Sequence, residues 1–314
     1  MGHSVIEAAS VATTSCGFVA LLGAPNAGKS TLINALVGSK VAGVSRKAQT
    51  TRASLRGIAL EGAAQIIFVD TPGLFAPKRR LDRAMIAAAW ASAADADVLA
   101  LLVDARSESR TQEISEATGA ILDALRESRA RKVLVLNKID LVERPHLLAL
   151  SARLNAALKF DETFMISATT GDGLAGLRRS LAAMMAPGPW LYPEDQITDA
   201  PLRHLAAEIT REKLFERLHD ELPYQTTVET ESWKVQGDGS ARVEQTIFVS
   251  RDSHKKIVIG EGGRTIKAIG VAARKEIAEA NDAPVHLFLF VKVRANWLDD
   301  PERYRAMGLE FPKS

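Results

Sequence analysis

The run Gly23-Ala-Pro-Asn-Ala-Gly28-Lys29-Ser30 has the spacing of a phosphate-binding loop and follows directly on the apolar run Phe18-Val-Ala-Leu-Leu22. Small residues let backbone N–H groups close around phosphate oxygens, and a helix opening at Ser30 adds partial positive charge. In this reading Lys29 contacts the β- and γ-phosphates, Ser30 ligates Mg²⁺, and Gly23, Asn26, Ala27, Gly28 and Thr31 complete the loop. A glycine-rich turn can match by accident, but the strand–loop–helix context argues against it.

Asp70-Thr71-Pro72-Gly73 closes a second apolar run. An acid there can hold Mg²⁺ through water, and the Gly73 N–H can meet a γ-phosphate. Taken alone, the tetrapeptide reads equally well as a strand-ending turn; its place after the phosphate loop favours the nucleotide. Asn137-Lys138-Ile139-Asp140 then selects the base. A carboxylate at Asp140 accepts from N1–H and the exocyclic amine of guanine. Adenine lacks both donors and would leave the acid buried and unpaired. Asn137 and Lys138 brace that loop, and Ser167-Ala168 can offer a backbone N–H to the guanine oxygen. The four motifs in this order point to GTP rather than ATP.

The polar segment Ser45-Arg-Lys-Ala-Gln-Thr50-Thr51-Arg52 is expected to be a first switch, with Thr50 or Thr51 completing the Mg²⁺ shell. Leu74 follows the second motif, and leucine has no group to orient an attacking water. Hydrolysis would then rest on Lys29, Mg²⁺, Gly73 and one of the threonines, with slow basal turnover. The Asn26 amide suits a monovalent cation such as K⁺ and equally suits an ordinary turn.

The elements that position these motifs alternate. Gln65–Val69, Val98–Val103, Lys132–Leu136 and Thr163–Ile166 are short apolar runs suited to strands buried on both faces. Helical stretches lie between them, at Leu81–Ala94, Gln112–Leu125 and Leu174–Met185, and Ser54–Leu60 reads as an added strand turned back through Glu61-Gly62. This is a doubly wound α/β sandwich with a mostly parallel sheet. The pattern changes at Ala186-Pro-Gly-Pro189, with Pro193 and Pro201 following; clustered prolines mark a linker. Beyond it the order is α-β-β-α-α-β, a small α+β domain. The expected divisions are a loose tail over 1–15, a nucleotide domain over 16–187, a linker over 188–201 and a second domain over 202–314.

The 314 residues suffice for two cores, and 46% apolar with 25% charged residues is an ordinary globular composition. A lone Cys16, no long apolar stretch and no basic N-terminal flank point to a cytoplasmic protein. No coiled coil or broad apolar stripe suggests an oligomer, so a monomer is expected. The net charge of +2 is uninformative, yet Arg251–Lys275 holds seven basic residues against two acidic. Within it, Ile259-Gly260-Glu261-Gly262-Gly263-Arg264 has the form of a GxxG loop between helices. Such a loop lets a single-stranded backbone approach, with Lys255, Lys256, Arg264 and Lys267 as the basic partners. Glu261 inside the loop would repel phosphate.

With GAPNAGKST, SRKAQTTR, VDTPGL, NKID and VIGEGG in one chain, the sequence resembles the bacterial Era family of GTPases from about Phe18 almost to the end. Tyr192–Asp199, Glu221–Tyr224, Ala283–Leu287, Val291–Val293 and Trp297 carry the likeness further. The resemblance implies a P-loop GTPase domain joined to a type II KH domain. It implies GTP/GDP and Mg²⁺ as ligands, binding to the 3′ region of 16S rRNA, and help in maturation of the 30S subunit. Partial peripheral association with the inner membrane is implied as well. It favours Thr51 over Thr50, because the Thr-Arg pair recurs in related GTPases, and it accounts for an apolar residue at Leu74. Glu261 departs from the family's usual basic or polar residue. Two readings stay open: a switch in which GTP repositions the domains, and an RNA-binding tether in which the nucleotide is mainly structural. A tRNA-modification GTPase of the same broad class would need a partner domain that this chain lacks.

Overall fold

A computed structural model describes residues 13–44, 55–75, 77, 79–295, 297, 300–306 and 309–312. Thr50 and Thr51 lie outside the described residues. Among the described residues there are two sheets, of seven and three strands.

The first sheet is built from β1 (Ser15–Leu22), α1 (Lys29–Val37), β2 (Leu55–Glu61), β3 (Ala64–Asp70), α2 (Arg80–Ala94), β4 (Val98–Asp104), the short α3 (Ala105–Glu108) and α4 (Glu116–Arg126). It continues through β5 (Arg131–Asn137), α5 (Arg144–Ala157), β6 (Glu162–Met165), α6 (Leu174–Met184) and β7 (Ala186–Pro187). Its strand order is β2-β3-β1-β4-β5-β6, with β7 beside β1. Only β2 and β7 run antiparallel to their neighbours.

Both faces of this sheet are covered. Val19, Leu21, Val98, Ala100 and Val133 enter one core, while Ala20, Leu22, Leu99, Leu101 and Leu134 enter the other. Successive side chains point to opposite faces, so burial of both makes the central strands β1, β3, β4 and β5 read as nearly continuous apolar runs. The order reverses about β1, with β3 on one side and β4 on the other, and the crevice at such a point is where ligands of open α/β sheets bind.

Two local features differ from the sequence reading. Helix α4 starts at Glu116, not Gln112, because Ser115 caps it at the Thr118 N–H. The buried Glu108 holds that start by accepting from the Ser115 N–H and from the Ser115 and Thr118 hydroxyls. Strand β1 begins at Ser15, earlier than Phe18, because β3 pairs with it from Ser15 onward and β7 pairs Ser15 and Cys16 on the other side. The proline-rich stretch is strapped along the sheet edge. Trp190 Nε1 donates to Ala63 O at 3.0 Å, and the fully buried Gln65 accepts from the N–H groups of Leu191 and Tyr192.

The second sheet follows α7 (Leu202–Arg217) and comprises β8 (Thr226–Val235), β9 (Ala241–Val249) and, after α8 (Asp252–Ile259) and α9 (Arg264–Asn281), β10 (Val285–Val293). The middle strand β9 runs antiparallel to β8 and parallel to β10. Helices α7, α8 and α9 pack on one face through Ile209, Leu214, Val258, Ile269, Ala273 and Ile277. A last helix, α10 (Pro301–Ala306), brings Tyr304 and Leu309 against Leu81, Ala84 and Met85 of α2.

Candidate nucleotide and RNA sites

Three loops meet at the carboxyl ends of β1, β5 and β6. Gly28 is the N-cap of α1 at φ 99°, and a Cβ there would lie 2.4 Å from Asn137 Nδ2. Glycine is needed both for the backbone angle and for this approach. Asn137 is buried, donating to Ala27 O at 2.8 Å and accepting from Ala168 N at 3.0 Å. It therefore ties the phosphate loop to both base loops. This alters one expectation: the Ala168 N–H serves Asn137, and the Ser167 N–H donates to Asp172 O at 3.0 Å. A buried amide needs its own partners, and here the Ser167-Ala168 turn supplies one. Asp140 is exposed in a 3-10 turn, Ile139–Leu141, which leaves its carboxylate accessible to a base.

Lys138 Nζ donates to Asn26 O at 2.7 Å and to Asp104 Oδ2 at 2.6 Å. Sequence reasoning missed Asp104. The available signal was an acid ending the strand paired with the Asn137 strand, where Asp104 and Asn137 are in register.

Lys29 is buried, with Nζ donating to Gly23 O at 2.9 Å and Ala24 O at 3.1 Å. Burial pushes its amine down to about 8 against the opposing pull of Asp70. The two loop carbonyls and Asp70 only partly offset the lost hydration of the ammonium, which a bound anion would make good. Ser30 Oγ donates to Asp70 Oδ2 at 2.8 Å, and Asp70 has no exposed surface. A hydroxyl and a carboxylate side by side are hard oxygen donors that fit Mg²⁺, which takes few protein ligands and completes its shell with water and phosphate.

The segment after Asp70 lies on the phosphate loop. Thr71 Oγ1 donates to Leu21 O at 2.5 Å, Leu74 N donates to Gly23 O at 3.1 Å, and a Cβ at Gly73 would meet Pro25 Cα at 2.9 Å. The Leu74 side chain is buried in the core with Leu22, Leu101 and Val103. It is turned away from the nucleotide site as well as being chemically unable to orient water.

In the second sheet's domain, Gly260 caps α8 at φ 73°, and a Cβ there would stand 2.2 Å from Thr265 Oγ1. Gly262 and Gly263 face open space. Lys256, Arg264 and Lys267 are exposed beside them, with Lys255 and Ile259 half-buried. Glu261 folds back onto Arg264 in an exposed ion pair, so its charge is partly answered within the loop.

Residues 18–138 match the family described as 50S ribosome-binding GTPase, and residues 221–298 match the KH domain. GTPase Era of Afipia carboxidovorans is 66% identical over 300 residues, with 96% of each chain covered. The chain belongs to the Era family. Era of Brucella suis biovar 1 is 59% identical over 95% of this chain and 94% of its own. Era solved with MgGDPNP and nucleotides 1506–1542 of 16S ribosomal RNA is 35% identical with a TM-score of 0.87, covering 94% of this chain and 99% of its own. The Aquifex aeolicus Era Y63A structure bound to GDP·AlF4⁻ matches equally well. As an Era-family GTPase the protein hydrolyses GTP to GDP and phosphate, with Mg²⁺ as cofactor. Among the described residues no helix is long and apolar enough to cross a membrane.

Proposed function

We propose that this Era-family protein binds the 3′ region of 16S rRNA through its GxxG loop and assists maturation of the 30S subunit, with RNA grip set by the bound nucleotide. In this reading Lys29 neutralises the β- and γ-phosphates, Ser30, Asp70 and Thr51 surround Mg²⁺, and Asp140 reads guanine. Mg²⁺, when bound, supplies charge neutralisation across the phosphates. Gly73 presents its N–H to the γ-phosphate, while Asn137 and Lys138 hold the base loop against the phosphate loop. Lys256, Arg264 and Lys267 meet RNA phosphates around Gly260, Gly262 and Gly263, with Lys255 and Ile259 flanking. The single observation that carries the reading is the three-loop clamp closed by Asn137, in a chain that also presents an exposed, basic GxxG loop. The solved relative in complex with 16S rRNA nucleotides 1506–1542 supports the choice of RNA.

The test is a fluorescence titration of that RNA segment against the protein loaded with GDP or a non-hydrolysable GTP analogue. Tighter binding in the GTP-like state is expected. Equal affinity in both states would establish the tether, the reading that the inward-turned Leu74 favours. The Asn26 side chain is exposed at the loop's rim, and we include K⁺ as its ligand; an unchanged rate on replacing K⁺ by Na⁺ would remove that ion from the mechanism. Peripheral contact with the inner membrane belongs to the same reading, and co-flotation with anionic vesicles tests it.

A further inference from the structure

Two helices leave the phosphate loop and the GxxG loop, and a cluster of charges between the domains connects them. Helix α1 starts at the phosphate loop, and its Asn34 fastens the turn that follows. Asn34 Oδ1 accepts from the N–H groups of Val41 and Ala42 at 2.9 Å, and Nδ2 donates to Ala42 O at 2.9 Å. Lys40 and Val44 flank that fastened turn. Both then bond one oxygen of Glu212 on α7: Lys40 Nζ and the Val44 N–H each lie 2.7 Å from Oε2. The other oxygen accepts from Lys213 Nζ at 2.7 Å. Lys213 reaches Glu276 of α9 at 2.6 Å, and Lys40 pairs with Glu276 too, closing a ring of four charges.

The geometry gives this ring mechanical reach. Helix α9 starts at Arg264, beside the GxxG loop, and Glu276 lies about 18 Å along it at helical rise. Helix α1 spans about 13 Å from the phosphate loop to its end. Stiff helices therefore join each ligand loop to the same cluster. The Glu212 side chain is only 5% exposed and serves three donors. Losing the donors of one side would leave a buried carboxylate poorly compensated, so the contact tends to be made or broken rather than stretched. In the chain, Val44 leads directly into the segment that carries Thr50 and Thr51.

We infer that the Lys40–Glu212–Lys213–Glu276 cluster, with the Val44 N–H, is the joint through which nucleotide state and RNA occupancy reach one another. The inference rests on the nucleotide-dependent reading above and names the residues that would transmit it. Glu276 is held below its ordinary carboxyl range by its two lysines despite opposing burial, consistent with a charged ring at neutral pH.

The test uses the full chain and the RNA segment of nucleotides 1506–1542, titrated in the GDP and GTP-analogue states. Wild type is compared with Glu212→Gln and Lys40→Met. Coupling between sites ordinarily amounts to about 5–150-fold. The expected wild-type ratio of RNA affinities falls in that range and collapses toward one in both variants. By reciprocity, the effect of RNA on nucleotide affinity disappears with it. GDP binding reports whether each variant is folded; Lys40 is the more exposed partner, so Lys40→Met carries the test alone if Glu212→Gln fails to fold. A wild-type ratio retained in a folded variant overturns the joint. A wild-type ratio of one overturns instead the coupled reading on which it rests.

Discussion

Lys29 offers a quantitative check on how the phosphate loop is prepared. Its amine is buried, held by two loop carbonyls, and titrates near 8 rather than 10.5, chiefly because burial strips away solvent. In the ligand-free fold this represents about 3 kcal/mol of disfavoured charge at neutral pH. The folded value lies below the unfolded one, so the ligand-free protein should gain stability as pH rises from about 8 toward 10.5. A bound polyphosphate restores the ammonium by direct attraction. Nucleotide binding at about pH 8 should therefore take up about half a proton, and only about a tenth at pH 7. If only the ammonium form binds, affinity falls about tenfold between pH 7 and pH 9. Isothermal titration calorimetry of GDP in buffers of different ionisation enthalpy measures the uptake directly. A binding enthalpy independent of buffer at about pH 8 would refute the reasoning, because Lys29 would then be fully charged before the ligand arrives.

Three further outcomes are expected. Leu74→Gln should not accelerate hydrolysis, because position 74 faces the core; it should cost about 1–3 kcal/mol of stability by burying an amide, and a faster single-turnover rate would contradict this. Asp104→Asn removes the carboxylate that holds Lys138 at 2.6 Å, and should weaken GDP and GTP binding about 10–150-fold, corresponding to about 1.5–3 kcal/mol for a charge-assisted bond; unchanged affinity for a fluorescent nucleotide would mean the Asn26 carbonyl suffices. Glu261→Gln releases Arg264 from its exposed pairing. RNA affinity should rise, and the slope of log K against log salt should steepen by about 0.7, as for one added phosphate contact on a single strand. An unaltered slope would place Arg264 outside the RNA footprint.

Much of this protein could be read from local sequence. The central strands β1, β3, β4 and β5 are largely buried on both faces, so each contains an apolar run, and the phosphate, Asp70 and Asn137 motifs follow such runs directly. Their chemistry depends on side-chain type and short spacing, which survive without knowledge of packing. The α4 start could not be read this way, since Gln112–Ile114 has no breaker, and it is Glu108, from an earlier turn, that fixes Ser115 as the cap.

The remaining features depend on residues far apart in the chain. Asn137 meets Ala27 across 110 positions, Lys138 meets Asp104 across 34, and Lys40 meets Glu276 across 236. Sequence alone identified a guanine-nucleotide loop and a GxxG loop, because each is a contiguous string whose backbone does the binding. Only the folded chain shows Leu74 turned inward, the Ala168 N–H committed to Asn137, and one buried glutamate gripping both domains. Those outcomes are set by which surfaces pack together, and a carboxylate carries no mark in the sequence of the partner it will face.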